Sequence, residues 1–511
     1  MKCIYIDPPY NTGSDGFTYQ DNFGFTVESL VEKIGLGREE AERTLALQGK
    51  SSHSAWLTFM LPRLSVAQRL LKEDGAIFIS IGDDEYANLK LLCDSIFGEQ
   101  NFVSNLPWQS RKSISDDREF SQNHTHTLVY SKDREQLKIW GDELNEHEYT
   151  NPDNDPRGPW KLSPLDANKP GGDTMYAVKN PVTGEDHWPS KGRSWAINSQ
   201  TMAELIEDNR VAFGKKGVTR PQRKLFYFER VAKGDTKTPS TFLLDAGTTA
   251  EGTAEVEALI GPDVFTHPKP VGLVKKLVEY CTRGAKDAIV LDFFSGSATT
   301  ADAVMQLNAE DGVEGQRKFI MVQLSEKVKP GGPAAEAGFA TIDEIGRKRI
   351  QEAGSKIKSL AQKDIDTGFK LFRIEPAAAP ALEQLENFDP SENTLFSNDM
   401  VAVFDSSYAG GYETILTTWL NKDGYGLLPN KREVLLHGYN LDICGDTAYV
   451  IKEGLSSADV VELVRQLENA ELKLARLVYY PYSVDFGVTQ ELNNNLQNLR
   501  SGASVRRIAR Y

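Results

Sequence analysis

The chain has 511 residues, more than one ordinary core holds, so two to four domains are expected. Its formal net charge of −15 provides no whole-chain attraction for a polyanion, which leaves nucleic-acid binding to local surfaces. The four cysteines form no CxxC pair, no apolar run reaches the roughly 20 residues of a membrane span, and no signal peptide is visible; a disulfide framework, a zinc site and a membrane protein are disfavoured, and a cytoplasmic location is expected.

Residues 2–6 are a short apolar run closed by Asp7-Pro8-Pro9-Tyr10. Two prolines end a strand because neither has an N–H to donate. SAWLTFMLPRLSVAQRLLKEDG then has apolar residues at helical spacing and stops at Gly75. AIFISIG (76–82) reads as a strand buried on both faces, and DDEYANLKLLCDSIFG as a second helix, with Asp83-Asp84 expected to cap it. This alternation predicts an α/β fold with a mainly parallel sheet.

From about residue 101 to 252 the regularity fades into scattered Trp, Gly and Pro, which predicts a loop-rich insertion. Within it, NRVAFGKKGVTRPQRKLFYF (209–228) holds six Lys or Arg, no acid and interleaved aromatics. That is a local footprint for phosphate, with Lys215, Lys216, Arg220, Arg223 and Lys224 as candidate DNA contacts. α/β character returns at 267–325: a helix in HPKPVGLVKKLVEYCTRG, strand–turn–helix in AIVLDFFSGSATTADAVMQLN, and a buried strand in RKFIMVQLSE ending at Glu326. A helix-rich stretch follows. Beyond it, MVAVF, REVLLHG, TAYVIKEG and ARLVYYP read as strands, with a helix near 457–475. The expected divisions are 1–104, 105–252, 253–363 and 370–511.

Two motifs carry chemistry. A carboxylate, a fixed carbonyl and an aromatic at a strand's carboxyl end suit an exocyclic amine on a planar base: Asp7 and Pro8 offer two acceptors for its two N–H donors, and Tyr10 a flat face. An adenine amine is a poor nucleophile because its lone pair is delocalised into the ring; acceptors pulling on its hydrogens favour the pyramidal form. A proline-rich turn with a capping Asp suits the same residues, and the sequence leaves both open. In LDFFSGSATTADAV (291–304) a strand ends at Asp292 and small residues turn into a helix, aiming its N–H groups at a carboxylate or phosphate. It is neither GxGxxG nor GxxxxGK[ST], which disfavours dinucleotides and nucleoside triphosphates. Glu326 could take ribose hydroxyls or be a solvated loop acid. His53, His124 and His126 have no metal-ligand spacing around them, so no metal is expected. Ser297 lacks a GxSxG context, so a hydrolase is disfavoured.

Taken together, IYIDPPYNTG, FTYQDNF, SAWLTFMLPRL, GAIFISIGDDE, IFGEQNF, FTHPKP and LDFFSGSATTADAVMQLN resemble an amino-methylating DNA methyltransferase of the beta-ordered class, and more closely the modification (Mod) subunit of type III restriction–modification systems. The resemblance covers residues 1–345 strongly and the remainder loosely. It implies a Rossmann-like, S-adenosylmethionine-dependent methyltransferase sheet in permuted order, with an inserted target-recognition domain and a small C-terminal domain. It also implies adenine-N6 methylation of duplex DNA by base flipping, which costs a few kcal/mol of unstacking, a homodimer, and a helicase–nuclease restriction subunit as partner. By position, Asp7, Pro8, Pro9 and Tyr10 would hold the base. Phe265, Lys269, Asp292, Phe294, Gly296, Ser297 and Thr299 would hold the cofactor, with Glu326 at its ribose. Cytosine-N4 methylation needs the same amine geometry, though such enzymes more often have Ser at the position of Asp7; a non-catalytic DNA-recognition subunit is the rival of a different class. Two departures stand out. Ala298 replaces a glycine and is expected to keep a helical φ. Relatives also carry a segment before the first strand, which here begins at residue 2; the permuted core is expected to be complete without it.

Overall fold

The computed structural model describes residues 1–12, 27–28, 31, 37–48, 52–116, 119–168, 171–214, 217–361, 365–375, 379–386, 400–497, 499–500 and 504–511. The FTYQDNF motif, Lys215 and Lys216 lie outside these residues. The chain divides into two compact units, 1–369 and 370–511. Among the described residues no helix is long and apolar enough to cross a membrane.

The first unit is built on strands β1 (Cys3–Ile6), β2 (Ala76–Ile81), β3 (Phe102–Gln109), β4 (His124–Ser131), and, after the insertion, further strands β8 (Ile289–Asp292) and β9 (Lys318–Met321). They form one six-stranded sheet in the order β9-β8-β1-β2-β4-β3. The first four in that order are mutually parallel, and β4 runs antiparallel to both β2 and β3. Although Ile4 and its neighbour Leu291 on β8 are 287 positions apart, β1 is central. Every residue of β1 and β2 is buried, and alternate residues point to opposite faces. On one face Cys3, Tyr5 and Phe78 pack against Val274, Leu277 and Val278 of the helix Val271–Thr282. On the other, Ile4, Ile6, Ile77 and Ile79 pack against Trp56, Met60 and Leu64 of α1 (Ser52–Leu70) and Leu89 and Cys93 of α2 (Asp83–Phe97). A sheet coated on both sides explains why its central strands read as continuous apolar runs.

Three expectations need correction. The boundary at 105 cuts through β3; the β3–β4 hairpin pairs with β2 and belongs to the main sheet. The strand ending at Glu326 is shorter and less buried than expected: β9 stops at Met321, because it is the sheet's edge. MVAVF is not a strand; Ala402–Phe404 is a 3-10 turn. A short apolar run cannot announce whether a partner strand lies beside it.

Within the insertion, β5 (Trp160–Pro164), β6 (Val211–Ala212) and β7 (Gln222–Phe226) form a small antiparallel sheet with β7 central, beside a core of Leu165, Val178, Trp195, Met202, Val211 and Phe213. The second unit is a five-stranded mixed sheet of β10 (Lys431–Leu435), β11 (Asn440–Cys444), β12 (Thr447–Val450), β13 (Arg476–Tyr479) and β14 (Arg506–Ala509), in that spatial order. Apolar clusters cover both of its faces, one of them using Val460, Leu463 and Leu467 of the helix Ser457–Glu468.

Candidate active site

β1 and β8 are parallel neighbours, with Cys3 opposite Val290 and Ile4 opposite Leu291. Their carboxyl ends therefore lie side by side, and each delivers an acid: Asp7 just past β1, Asp292 as the last residue of β8. From here the chain crosses in opposite directions, β1 toward β2 and β8 toward β9. Such a reversal of strand order is where open α/β sheets bind ligands. A cleft of about 740 Å³, open mouth included, occupies this point. Asp7, Pro8, Pro9, Tyr10, Phe265, Lys269, Asp292, Phe294, Gly296, Ser297 and Thr299 all line it.

On the β1 side the Asp7–Tyr10 segment is fixed from three directions. The Trp56 indole N–H donates to the Pro9 carbonyl at 2.8 Å. Asn11, in the left-handed region at φ 59°, donates its amide to Glu85 Oε1 at 2.5 Å. Glu85 is fully buried, accepts from Asn88 at 2.8 Å and lies 2.7 Å from His53 Nδ1. Tyr10 lies over Gly82, where a Cβ would come within 3.0 Å of the ring. The Tyr10 hydroxyl donates to Asp7 Oδ1 at 3.1 Å. Lys269 Nζ donates to Asp7 Oδ2 at 2.6 Å and stands 5.0 Å from the Tyr10 ring centroid. Lys269, expected against the cofactor, thus reaches the Asp7 carboxylate.

On the β8 side, Asp292 shapes the turn. Its carboxyl accepts the Thr300 hydroxyl at 2.6 Å and the Phe294 N–H at 3.0 Å. Burial pushes its pKa up to about 7. Gly296 has φ 48° and lies under Phe265, whose ring would be 3.1 Å from an added Cβ. Ala298 does not keep a helical φ; it sits at φ 61°, ψ 35°, immediately before the helix Thr299–Asp311. The left-handed conformation costs an alanine about 1–2 kcal/mol. The tight turn that aims the helix's N–H groups into the cleft imposes it. A flat ring over a glycine, beside open helix N–H groups, fits an adenine and a carboxylate held together.

Glu326 is not part of the cleft lining. Its N–H bonds to the Leu324 carbonyl and its carbonyl accepts the Ile342 N–H, five residues beyond the end of β9. The side chain that does reach the turn from this connection is Gln323, whose Oε1 accepts the Gly296 N–H at 2.8 Å. Asp83 is not a cap either: Gly82 holds that position, and the Asp83 carboxylate meets His126 Nε2 at 2.9 Å and Gln122 at 2.6 Å.

The basic stretch is less available than its composition implied. Arg220 and Arg223 are exposed. Lys224 is buried: its ammonium bonds to Asp153 and to Asn209 Oδ1 at 3.0 Å, and stands 4.9 Å from the Trp160 ring centroid. Alternation along β7 turns Arg223 outward and Lys224 inward.

Comparison with known proteins shows the family. Residues 1–331 match the DNA methylase family model, and 410–505 match the C-terminal domain of the type III enzyme EcoP15I. The chain is 38% identical to the type III restriction–modification enzyme StyLTI Mod subunit of Salmonella typhimurium, over 98% of its own length and 79% of the relative's. The EcoPI Mod subunit of Escherichia phage P1 is 34% identical, over 99% of this chain and 81% of that one. The EcoP15I Mod subunit of Escherichia coli is 32% identical over the same shares. The chain belongs to the type III Mod subunits. This Mod subunit is therefore a DNA methyltransferase, and its methyl donor is S-adenosylmethionine. Trp56, Glu85 and Gln323, which brace the two motifs from outside the cleft lining, are among the residues that sequence reasoning missed. Each arrives from an element far along the chain, and no local signal marks it.

Proposed function

We propose that this Mod subunit methylates N6 of an adenine flipped out of duplex DNA into the cleft between β1 and β8. The observation that carries the reading is the lining of one cleft by both motifs: the Asp7–Tyr10 segment faces the small-residue turn after Asp292. Phe265 and the turn through Gly296, Ser297 and Thr299 would hold S-adenosylmethionine, which supplies an electrophilic methyl group when bound.

The chain's own residues do the rest. Asp7 and the Pro8 carbonyl accept the two amine hydrogens, and Tyr10 supports the base plane. A carboxylate offers about four lone-pair sites. Tyr10 and Lys269 take one on each oxygen of Asp7, so an acceptor remains for the amine. As the nitrogen develops positive charge, the fixed negative charge of Asp7 stabilises it in a partly dry cleft. Asp at position 7, where cytosine-N4 enzymes more often have Ser, favours adenine.

The antiparallel sheet of the insertion, with exposed Arg220 and Arg223, is proposed as the target-recognition region. A homodimer and a helicase–nuclease restriction subunit are the proposed protein partners, in keeping with the relatives' names as subunits of restriction–modification enzymes. Expression in a host lacking adenine methylation, followed by sequencing of its genomic DNA, tests the reading: N6-methyladenine within one short recurring sequence is expected. Unmodified adenines throughout would reject it.

A further inference from the structure

The cofactor turn is backed by a buried cation. Arg349, on the helix Ile342–Leu360, has no exposed surface. Its Nη1 donates to Ser297 Oγ at 2.9 Å and to Thr299 Oγ1 at 2.8 Å. Its Nη2 reaches Asp302 Oδ2 only at 3.4 Å, and its Nε has no partner among the described residues. One helical turn earlier, Gly346 lets the helix close on the turn: a Cβ there would lie 3.0 Å from the Gly296 carbonyl oxygen. Asp302 at 3.4 Å and the charge of Glu255 offset part of the cost of burying this guanidinium, and the two hydroxyls supply its short contacts.

The hydroxyls it grips are both in the cleft lining. Each gives a lone pair to the guanidinium, so each proton must point away from it. Thr299 spends its proton on the Lys269 carbonyl at 3.2 Å. The nearest acceptor for Ser297 is Thr299 Oγ1, at a long 3.4 Å. The Ser297 O–H is therefore a donor available to the cleft, polarised by a positive charge behind it and set beside the N–H groups of a helix N-terminus.

We propose that Arg349 is a positioning residue for the amino-acid carboxylate of the cofactor: its guanidinium clamps Ser297 and Thr299 and turns the Ser297 proton toward that carboxylate. This rests on the cleft being the S-adenosylmethionine site. The same clamp ties Thr299 to the backbone of Lys269, whose side chain holds Asp7, so it also keeps the cofactor turn in register with the base side.

Calorimetry on the full chain with two ligands separates this role from a merely structural one. S-adenosylhomocysteine carries the amino-acid end; 5′-methylthioadenosine lacks it. Arg349→Met is expected to weaken S-adenosylhomocysteine by about tenfold or more, the size of a lost charge-assisted contact, and to leave methylthioadenosine within about twofold. Arg349→Lys, which keeps charge but loses the fork, should fall between. Ser297→Ala should show the same selective loss, and it decides the matter if Arg349→Met does not fold. Equal weakening of both ligands, or no weakening of either, overturns the role of Arg349. Failure of the unaltered chain to bind S-adenosylhomocysteine would instead overturn the cofactor site itself.

Discussion

Asp7 is the residue proposed to hold the base, and its surroundings make its removal informative. In Asp7→Ala the Asp292 turn, Phe265 and Ser297 are untouched, so cofactor affinity should stay within about twofold. Methyl transfer should drop by about 10²–10³-fold, the loss typical of a removed transition-state electrostatic partner. Normal transfer by that variant would show the role of Asp7 to be wrong. Asp292 gives a different signature. Its carboxyl is raised to about 7 in the folded protein and returns to about 3.9 when unfolded. Between those values the folded state binds the proton and the unfolded chain does not. Its contribution is full below about pH 4 and is lost as pH rises through about 7. Denaturation of the unaltered chain and Asp292→Asn across that range should show the unaltered chain losing up to about 4 kcal/mol relative to the variant; parallel curves would contradict the shift. What was legible at this scale is what is contiguous in the chain. Asp7 to Tyr10 and Asp292 to Thr299 are strings, and the structure brings both to one cleft. Lys269 was legible as a site residue but not as the partner of Asp7, because a contact across 262 residues leaves no local trace.

Among the elements, the small insertion sheet shows how composition misleads. Six basic residues without an acid look like a DNA-facing surface, yet two of them are neutralised by acids outside the stretch: Arg210 bonds to Glu229, and Lys224 to Asp153. Strand alternation sorts the rest. Lys224→Ala would take a buried ammonium from Asp153 and Asn209 while Asp155 keeps its two-pronged bond to Arg157, and should destabilise the protein by about 1–3 kcal/mol in chemical denaturation. Arg223→Ala should leave stability within about 0.5 kcal/mol. If Arg223 contacts a phosphate, that variant lowers DNA affinity and reduces the salt slope by about 1; an unchanged slope would remove Arg223 from the interface. The helices and central strands of the main sheet were legible because their burial is two-sided and regular. The edge strand β9 and the turn at Ala402–Phe404 were not, since an edge and an unpaired apolar run share one local pattern.

For the molecule as a whole, the order of parts follows from the sheet. The partners of β1 are drawn from residue 289 and residue 76 onward, and the chain leaves this sheet after Ser131 and rejoins it at Ile289 once the insertion is complete. The net charge of −15 was a poor guide to partners; the family shows that DNA is the substrate. The Asp7 side and the Asp292 side of one cleft are proposed to methylate adenine together. Incubation of the full chain with a mixed-sequence duplex DNA pool and S-adenosylmethionine labelled on its methyl group, followed by digestion to nucleosides, is the deciding measurement. The expected result is label in N6-methyl-deoxyadenosine alone, and none with Asp7→Ala. Label in N4-methyl-deoxycytidine, or label on adenine that survives Asp7→Ala, would contradict it.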